Sequence, residues 1–207
     1  MSMPRYLCFI TALLACRFPA VAAQPKAPPS SDEERIQAIA RDVRKAIVTL
    51  PEFGVFDYLW FGLRENTVVL RGFASRPTLK SGAENIARKV RGVEEVKNEI
   101  EVLPLSPNDD RIRAGVYARI YGHPGIQKYT SNRMMGRYVT PAQVATGITN
   151  NPPIGFHAIH IVVKNGEVTL YGVVDNATDF AIAEMQARMA HGAFSVFNNL
   201  SVAKEEK

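Results

Sequence analysis

The spacing of apolar residues changes along the chain, and each change predicts a new secondary-structure element. From Asp32 to Leu50 the apolar residues recur at helical spacing, which predicts an amphipathic helix. Ser31 and Glu34 have the spacing of a capping box at its start, and Pro51 ends it. The apolar side of this helix carries Ile36, Ile39, Ala40, Val43 and Ile47.

Alternation of apolar and polar residues follows and predicts a β-hairpin with strands at Phe56–Leu63 and Thr67–Ala74. Thr78–Val90 carries its alanines and isoleucine on one face, which predicts a second helix, and Gly92 ends it. Val96–Leu103 alternates again and is predicted to be a third strand. The first unit therefore has the order helix, strand, strand, helix, strand.

The same unit occurs a second time. When the sequence is shifted by 100 positions, Phe56–Val102 lies on Phe156–Val202 without a gap, and small or apolar residues coincide throughout. The second hairpin turns at Asn165-Gly166, the strongest short signal for a hairpin. A repeat of this length predicts two domains of one fold. The repeated positions are those of a shared core rather than of a shared active site.

The order of elements also predicts the sheet topology. A strand–helix–strand connection within one sheet needs a crossover, so the third strand is expected to run parallel to the second. The predicted fold class is α/β (α+β): two tandem modules, each with a three-stranded mixed sheet and two helices on one face. The domains are expected at residues 32–103 and 109–203, with a linker at 104–108. Asp109 or Asp110 is expected to cap the first helix of the second domain.

The first 23 residues have the pattern of an export signal. An apolar run over Tyr6–Cys16 precedes small residues, so cleavage after Ala23 would release a soluble product. Leu13-Leu14-Ala15-Cys16 instead resembles a bacterial lipobox, and cleavage there would leave a lipidated Cys16. The soluble product is favoured, and both alternatives stay open. Residues 24–31, rich in proline and serine, are predicted to be a linker.

Two short motifs recur in both copies and carry a family resemblance. Val68-Val69-Leu70-Arg71-Gly72 precedes a helix and the run Gly92–Val102, and the second copy repeats this arrangement, with Ala193 in place of a valine. Each copy thereby resembles a BON domain, a bacterial module of osmotically inducible periplasmic and nodulation proteins. The resemblance implies the same five-element fold and a module that is not an enzyme. It also implies a periplasmic or outer-membrane protein that binds phospholipid surfaces and supports envelope integrity under osmotic stress.

The segment between the first helix and the first strand differs between the copies. It is short in the first copy and covers about residues 123–155 in the second, and loops of this length are usually functional or disordered. No acidic residue lies between Asp110 and Glu167, whereas seven arginines and lysines do. Basic, apolar and aromatic side chains interleave there, which suits an anionic membrane surface or an envelope partner. The candidates are Arg133, Met134, Met135, Arg137 and Tyr138; the alternative is a solvated basic loop.

A second candidate surface is the face of the first sheet that points away from the helices. An exposed aromatic face on a small sheet usually marks a contact surface for lipid or a partner. The alternative is that this face packs against the other domain or the insertion. Its residues are predicted to be Phe56, Tyr58, Trp60, Val69, Arg71 and Phe73.

No grouping of residues with catalytic spacing is recognisable, which predicts a protein that is not an enzyme and has no cofactor. The two cysteines, Cys8 and Cys16, offer no disulfide framework. His157 and His160 point to opposite faces of a strand, so no metal site is expected. The formal net charge of +5 is modest. Nucleic acid is not an expected partner, because an exported protein does not normally meet it.

The sequence therefore predicts an exported protein of the bacterial envelope, periplasmic or else lipid-anchored through Cys16, without a transmembrane span in the mature chain. It is expected to associate with anionic phospholipid or an envelope partner. The alternative function is that of a periplasmic chaperone-like or structural protein that captures polypeptides through an open sheet face.

Overall fold

A computed structural model describes residues 31–131, 147–153 and 155–203 of the chain. The first module consists of α1 (Ser31–Val48), β1 (Tyr58–Arg64), β2 (Thr67–Ala74), α2 (Pro77–Ala87), β3 (Glu95–Asn98) and β4 (Glu101–Val102). The second consists of α3 (Pro107–Gly122), a 3-10 turn (Gln127–Tyr129), β5 (Ile159–Lys164), β6 (Glu167–Val174), α4 (Ala177–Arg188) and β7 (Ser195–Val202).

The two sheets have the predicted topology. In the first sheet β1 pairs antiparallel with β2, and β3 and β4 both pair parallel with β2. In the second sheet β6 pairs antiparallel with β5 and parallel with β7. The prediction of an α+β fold with a mixed sheet in each module, and of a parallel third strand, is therefore confirmed.

An asparagine lies at the same point of the last strand in both modules, at the end of β3 in the first. Asn98 turns its side chain back on the strand, where its Oδ1 accepts from Ile100 N–H at 3.2 Å, and its Nδ2 donates to Lys80 O in α2 at 2.9 Å. Asn198 makes the equivalent contacts with Leu200 and Phe180, at 3.3 and 3.1 Å. The repeated asparagine therefore ties the last strand to the second helix of each module.

Two hydrophobic cores lie between the sheets and their helices. In the first module Ile39, Val43 and Ile47 of α1 pack with residues of β2, β3 and α2. In the second, the side chains of α3 and α4 cover β5, β6 and β7. Val55 and Phe56, which precede β1, belong to the second core although the repeat assigns them to the first copy. Val55 and Phe56 are therefore part of the contact between the two modules.

The first helix of the second module begins earlier than predicted. Ser106, not an aspartate, caps α3, because its Oγ accepts from Asp109 N–H at 3.1 Å, and the helix begins at Pro107 inside the predicted linker. Asp109 is buried and its carboxylate accepts from Asn165 N–H and Gly166 N–H, each at 2.9 Å. The prediction that an aspartate caps this helix was wrong, since Asp109 instead holds the hairpin turn against the helix.

Candidate functional site

The predicted site residues divide between described and undescribed parts of the chain. Those of the basic insertion and the possible lipidation site lie outside the described residues, so their roles stay predictions: Arg133, Met134, Met135, Arg137, Tyr138 and Cys16. The aromatic candidates of the first sheet are all described.

The open faces of the two sheets meet at one corner. Tyr58 on β1 stacks on Tyr171 of β6, with ring centroids 4.2 Å apart and planes 5° from parallel. Phe73 lies on the same ring at 6.1 Å. Glu101 and Lys164 form an ion pair of 2.6 Å between the modules. Tyr58 and Phe73 therefore pack against the other domain, which was the alternative prediction for the aromatic face.

Phe56 lies deeper than an open face would place it. Its side chain is 1% exposed and contacts Tyr117 of α3 edge-on, at 6.2 Å between ring centroids. The backbone beside it is also fixed, since Val55 O accepts from Ile161 N–H of β5 at 2.8 Å. The prediction that Phe56 is exposed was wrong, because the segment before β1 lies along the edge of the second sheet and inserts its side chains there.

Trp60 and Arg71 form the part of the aromatic face that stays open. Trp60 is 44% exposed, and the Arg71 guanidinium lies over its ring at 5.3 Å from the centroid. Arg71 also pairs with Glu99 at 2.7 Å. Because that carboxylate already neutralises the guanidinium, this pair offers an aromatic surface rather than a free positive charge.

Buried polar groups fix the segment before β1, which contacts the second module. The carboxylate of Asp57 accepts from Ser75 N–H at 2.6 Å and from Gly54 N–H at 2.9 Å. Burial raises the pKa of Asp57, opposed by these two hydrogen bonds and by Arg76. Burial also lowers the pKa of His160, whose Nδ1 lies 3.2 Å from Gly54 O. These groups serve the junction between the modules.

A second buried histidine belongs to the core of the second module. His157 Nε2 lies 3.2 Å from the Tyr117 hydroxyl, and its Nδ1 lies 2.9 Å from Gly155 O. Burial lowers the pKa of His157 to about 4 and raises that of Tyr117 to about 12. The ring is therefore neutral over the physiological range and acts as a hydrogen-bonding group of the core.

Most described cations of the acid-free stretch are neutralised by acids from outside it. Arg113 is 2% exposed and pairs with Asp110 at 2.6 Å while donating to Val163 O at 2.6 Å. Lys128 pairs with Asp175 and Asp179, both at 2.7 Å. Lys164 pairs with Glu101 across the module junction, as described above. A stretch without acids in the sequence is therefore not a uniformly positive surface in the fold.

Two arginines of α3 have no hydrogen-bond or ion-pair partner among the described residues. Arg111 and Arg119 flank Gly115 on one side of the helix, and with His191 they line a shallow groove of about 380 Å³. Helical residues four apart lie one above the other. The groove therefore presents two unpaired guanidinium groups and an imidazole around a position where glycine leaves room.

The first module lacks these cations at the same place. Gly92 approaches Ile39 as Gly192 approaches Ile112, which makes Ile39 and Ile112 equivalent. On that alignment the positions of Arg111, Gly115 and Arg119 are held in α1 by Ala38, Asp42 and Ala46. The cationic groove is therefore specific to the second module, and no motif in the sequence marks it.

Exposed apolar side chains lie beside the groove. Phe194 is 85% exposed and follows Gly192 of the groove by two residues, and Met189 is 52% exposed at the end of α4. Phe194 N–H donates to Gly166 O at 2.9 Å, which holds its backbone against the hairpin turn. The exposed ring of Phe194 is therefore carried close to the groove by a backbone that is held at the hairpin turn.

A larger cleft, of about 690 Å³, opens between the modules along β1. Its walls include four apolar residues that are each more than two-fifths exposed: Val48, Trp60, Phe156 and Val173. Arg44 of α1 lies at the same cleft and has no ion-pair partner among the described residues. The cleft is mainly apolar with one cation.

These features define a protein of two covalently linked α+β modules. The sequence matches the BON domain family over residues 64–104 and 141–204, and the chain belongs to that family. Membership supports an envelope-associated, non-enzymatic role. Within the described residues no helix combines the length and apolar character needed to cross a bilayer.

Other comparisons add little. No curated protein matches the chain. Among solved structures it is similar to CdsD, a structural protein of the type III secretion system of Chlamydia trachomatis, at 14% identity and a TM-score of 0.25, over 82% of this chain and 94% of that chain. The C-terminal domain of CdsD gives 15% identity and a TM-score of 0.24, over 79% and 96%. Scores this low carry no argument for this chain.

Proposed function

We propose that this protein attaches to anionic phospholipid surfaces of the bacterial envelope and acts there without catalysis. The observation that carries the proposal is the groove on α3, where Arg111 and Arg119 have no acidic partner among the described residues. Phosphate oxygens suit guanidinium groups, which offer several N–H donors in a fixed plane. Phe194 beside the groove suits the headgroup region, where an aromatic ring finds both apolar and polar surroundings.

The expected attachment is weak and depends on salt. Each basic side chain near an anionic bilayer contributes about 1 kcal/mol. Two arginines therefore give about 2 kcal/mol, roughly a thirtyfold preference for anionic over neutral lipid. Exposed charges are screened beyond about 8 Å at physiological ionic strength, so the preference falls as salt is added. The basic insertion, with Arg133 and Arg137, is proposed to add to the same attraction.

Flotation with liposomes tests the proposal. The full chain is expected to float with vesicles containing phosphatidylglycerol and to remain behind with phosphatidylcholine alone. Arg111→Glu/Arg119→Glu is expected to abolish flotation. A matched control is Arg41→Glu/Lys45→Glu, the same charge reversal one helical turn apart on exposed positions of α1. Equal flotation of both variants, or no flotation of the wild type at low salt, would refute the proposal.

The cleft between the modules favours a second candidate function, capture of an apolar polypeptide. Its walls gather exposed apolar side chains beside β1, an edge strand of the first sheet. Trp60, the only tryptophan of the chain, lies in this wall and reports on occupation. A blue shift of its fluorescence with unfolded polypeptide would support capture at this cleft. No shift with unfolded polypeptide would exclude it.

Export is proposed for the segment over residues 1–23, as the sequence predicts. The family's envelope location supports it. Intact mass of the protein isolated from cell envelopes distinguishes cleavage after Ala23 from a lipidated Cys16, because acyl chains add a large and characteristic mass. A chain that retains residues 1–23 would contradict both.

A further inference from the structure

The edge of the second sheet at β5 is closed by hydrogen bonds. Three alternate residues of this strand turn their backbone N–H and C=O groups away from β6: Ile159, Ile161 and Val163. The Tyr121 hydroxyl donates to Ile159 O at 2.6 Å and accepts from Ile159 N–H at 3.1 Å. Ile161 N–H donates to Val55 O at 2.8 Å, and Arg113 donates to Val163 O at 2.6 Å. Each outward-pointing residue of β5 therefore has a partner.

The equivalent edge of the first sheet at β1 is open. The shift of 100 sets three residues of β1 opposite those of β5: Leu59, Phe61 and Leu63. No hydrogen bond joins their outward N–H and C=O groups to any residue that the structure describes. The alignment of Ile39 with Ile112 places Ala40 of α1 where α3 has Arg113. It places Val48 where α3 has Tyr121. Neither aliphatic side chain forms hydrogen bonds, so the groups that close β5 have no counterpart in α1.

Burial differs between the two strands in the same way. The three outward-pointing residues of β5 are completely buried, whereas those of β1 are only partly buried. Val48 and Trp60 beside them are exposed at the wall of the cleft. Because successive side chains of a strand point to opposite faces, β1 is apolar and incompletely covered on both faces.

The cover of the second edge is polypeptide from this chain. Residues 129–131 lie antiparallel to the residues before β5, with Ala158 N–H donating to Tyr129 O at 2.9 Å and Ser131 N–H donating to Phe156 O at 3.1 Å. Residues 129–131 belong to the long segment between α3 and β5. The corresponding segment of the first module is short, and its Val55 and Phe56 enter the core of the second module instead. The first module therefore has no similar stretch between α1 and β1 with which to cover its own edge.

We infer that an extended, apolar segment of a partner polypeptide pairs with β1 as an additional antiparallel strand, through the outward backbone groups of Leu59 and Phe61. In strand addition to an exposed sheet edge, backbone hydrogen bonds supply affinity and side-chain contacts supply specificity. The inference rests on the second candidate function, capture of polypeptide at the cleft, and specifies how the polypeptide is held.

The walls of the cleft define the segment that fits. An added strand presents its side chains alternately to two faces. Leu59 and Phe61 lie on the face toward the helices and Trp60 lies on the other, so a continuous apolar run suits the edge better than an alternating one. Arg44 at the same cleft has no ion-pair partner among the described residues, and a carboxylate at the end of the run complements it.

Hydrogen exchange of the full chain without ligand is the first test. The Phe61 amide is expected to exchange fast, and the Ile161 amide at the equivalent position slowly. The Trp60 amide, which is paired with β2, is the reference within the same strand. A Phe61 amide as protected as that of Trp60 would overturn the inference, because the edge would already be covered by another part of the chain or by a second copy.

Fluorescence anisotropy with a labelled peptide, a run of alternating valines and phenylalanines ending in a glutamate, tests the pairing. The same peptide with an N-methylated backbone keeps its side chains and loses its N–H donors, so it is expected to bind about tenfold more weakly. Equal affinity of the two peptides would overturn strand addition and leave capture at the cleft intact. No binding of either peptide would overturn both.

Variants of α1 locate the bound peptide. Val48→Tyr copies the tyrosine that closes β5 and is expected to weaken binding about tenfold, whereas Thr49→Tyr adds the same ring at an exposed position outside the cleft and is expected to bind as the wild type does. Arg44→Gln is expected to weaken binding of the glutamate peptide and to leave binding of a glutamine version unchanged. A folded Val48→Tyr variant with wild-type affinity would overturn the placement at β1. Equal effects of Arg44→Gln on both peptides would overturn the pairing of Arg44 with a carboxylate.

Discussion

Phe56 and Phe156 occupy the same position of the repeat but opposite environments, which makes them a matched pair. Phe56 is 1% exposed in the core of the second module, whereas Phe156 is 70% exposed at the rim of the cleft. Removal of a buried phenylalanine side chain costs about 3–5 kcal/mol, because apolar burial is lost and a cavity remains. Substitution of an exposed residue changes stability by about 0.5 kcal/mol or less. Phe56→Ala is therefore expected to be severely destabilising and Phe156→Ala nearly neutral.

Urea unfolding followed by far-UV circular dichroism measures both variants. With an m-value of about 1–3 kcal/mol/M, a loss of 3 kcal/mol lowers the midpoint by about 1–3 M. The second module should lose this stability, because Phe56 packs in its core although the residue precedes β1. Trp60 fluorescence follows the unfolding of the first module separately. Equal midpoints for the two variants, or a loss confined to the Trp60 transition, would refute the placement of the segment before β1.

Three further predictions concern groups within the second module and its junction. Arg113→Ala leaves the carboxylate of Asp110 without its buried partner and is expected to cost about 3–5 kcal/mol in thermal denaturation; a cost below 1 kcal/mol would show that the pair is solvated. His157 is held neutral with a pKa of about 4, below its ordinary 6.5, so the unfolded chain takes up a proton first and stability falls as pH drops from about 6.5 to 4. Over this pH range the free energy of unfolding is expected to fall by about 3 kcal/mol because of His157. His157→Gln should therefore flatten the pH dependence of the urea midpoint, and an unchanged pH dependence in this variant would contradict the prediction. Tyr58→Ala and Tyr171→Ala should be coupled by about 0.5–1.5 kcal/mol in a double-mutant cycle, and additive effects would show that the rings do not stack.

The features that follow from local pattern could be predicted from the sequence. The hairpins, the helices and the parallel third strand depend on spacing within about fifty residues, and the repeat reports each of them twice. The first residue of a helix is harder to predict, because several neighbouring residues can each cap it. Ser106 and Asp109 both suit a helix start, and only the fold shows that Asp109 is needed by the turn at Asn165-Gly166.

The features that depend on contacts between distant segments could not be predicted in the same way. Lys128 and Lys164 lie in a stretch without acids, and their partners come from other strands and helices. The groove on α3 could not be predicted from the repeat, because the shift of 100 that aligns the strands does not align the first helices. Only alignment on the buried Ile39 and Ile112 sets Arg111 opposite its alanine counterpart, Ala38.

The proposed function requires that the groove on α3 meets the anionic surface. Paramagnetic broadening by a headgroup spin label, in nanodiscs of phosphatidylglycerol, measures this directly in the backbone amide spectrum of the full chain. Strong broadening is expected at Arg111, Gly115, His191 and Phe194, and little at Ala38 and Asp42 in the equivalent part of the first module. Equal broadening of both modules, or broadening that leaves α3 untouched, would contradict it.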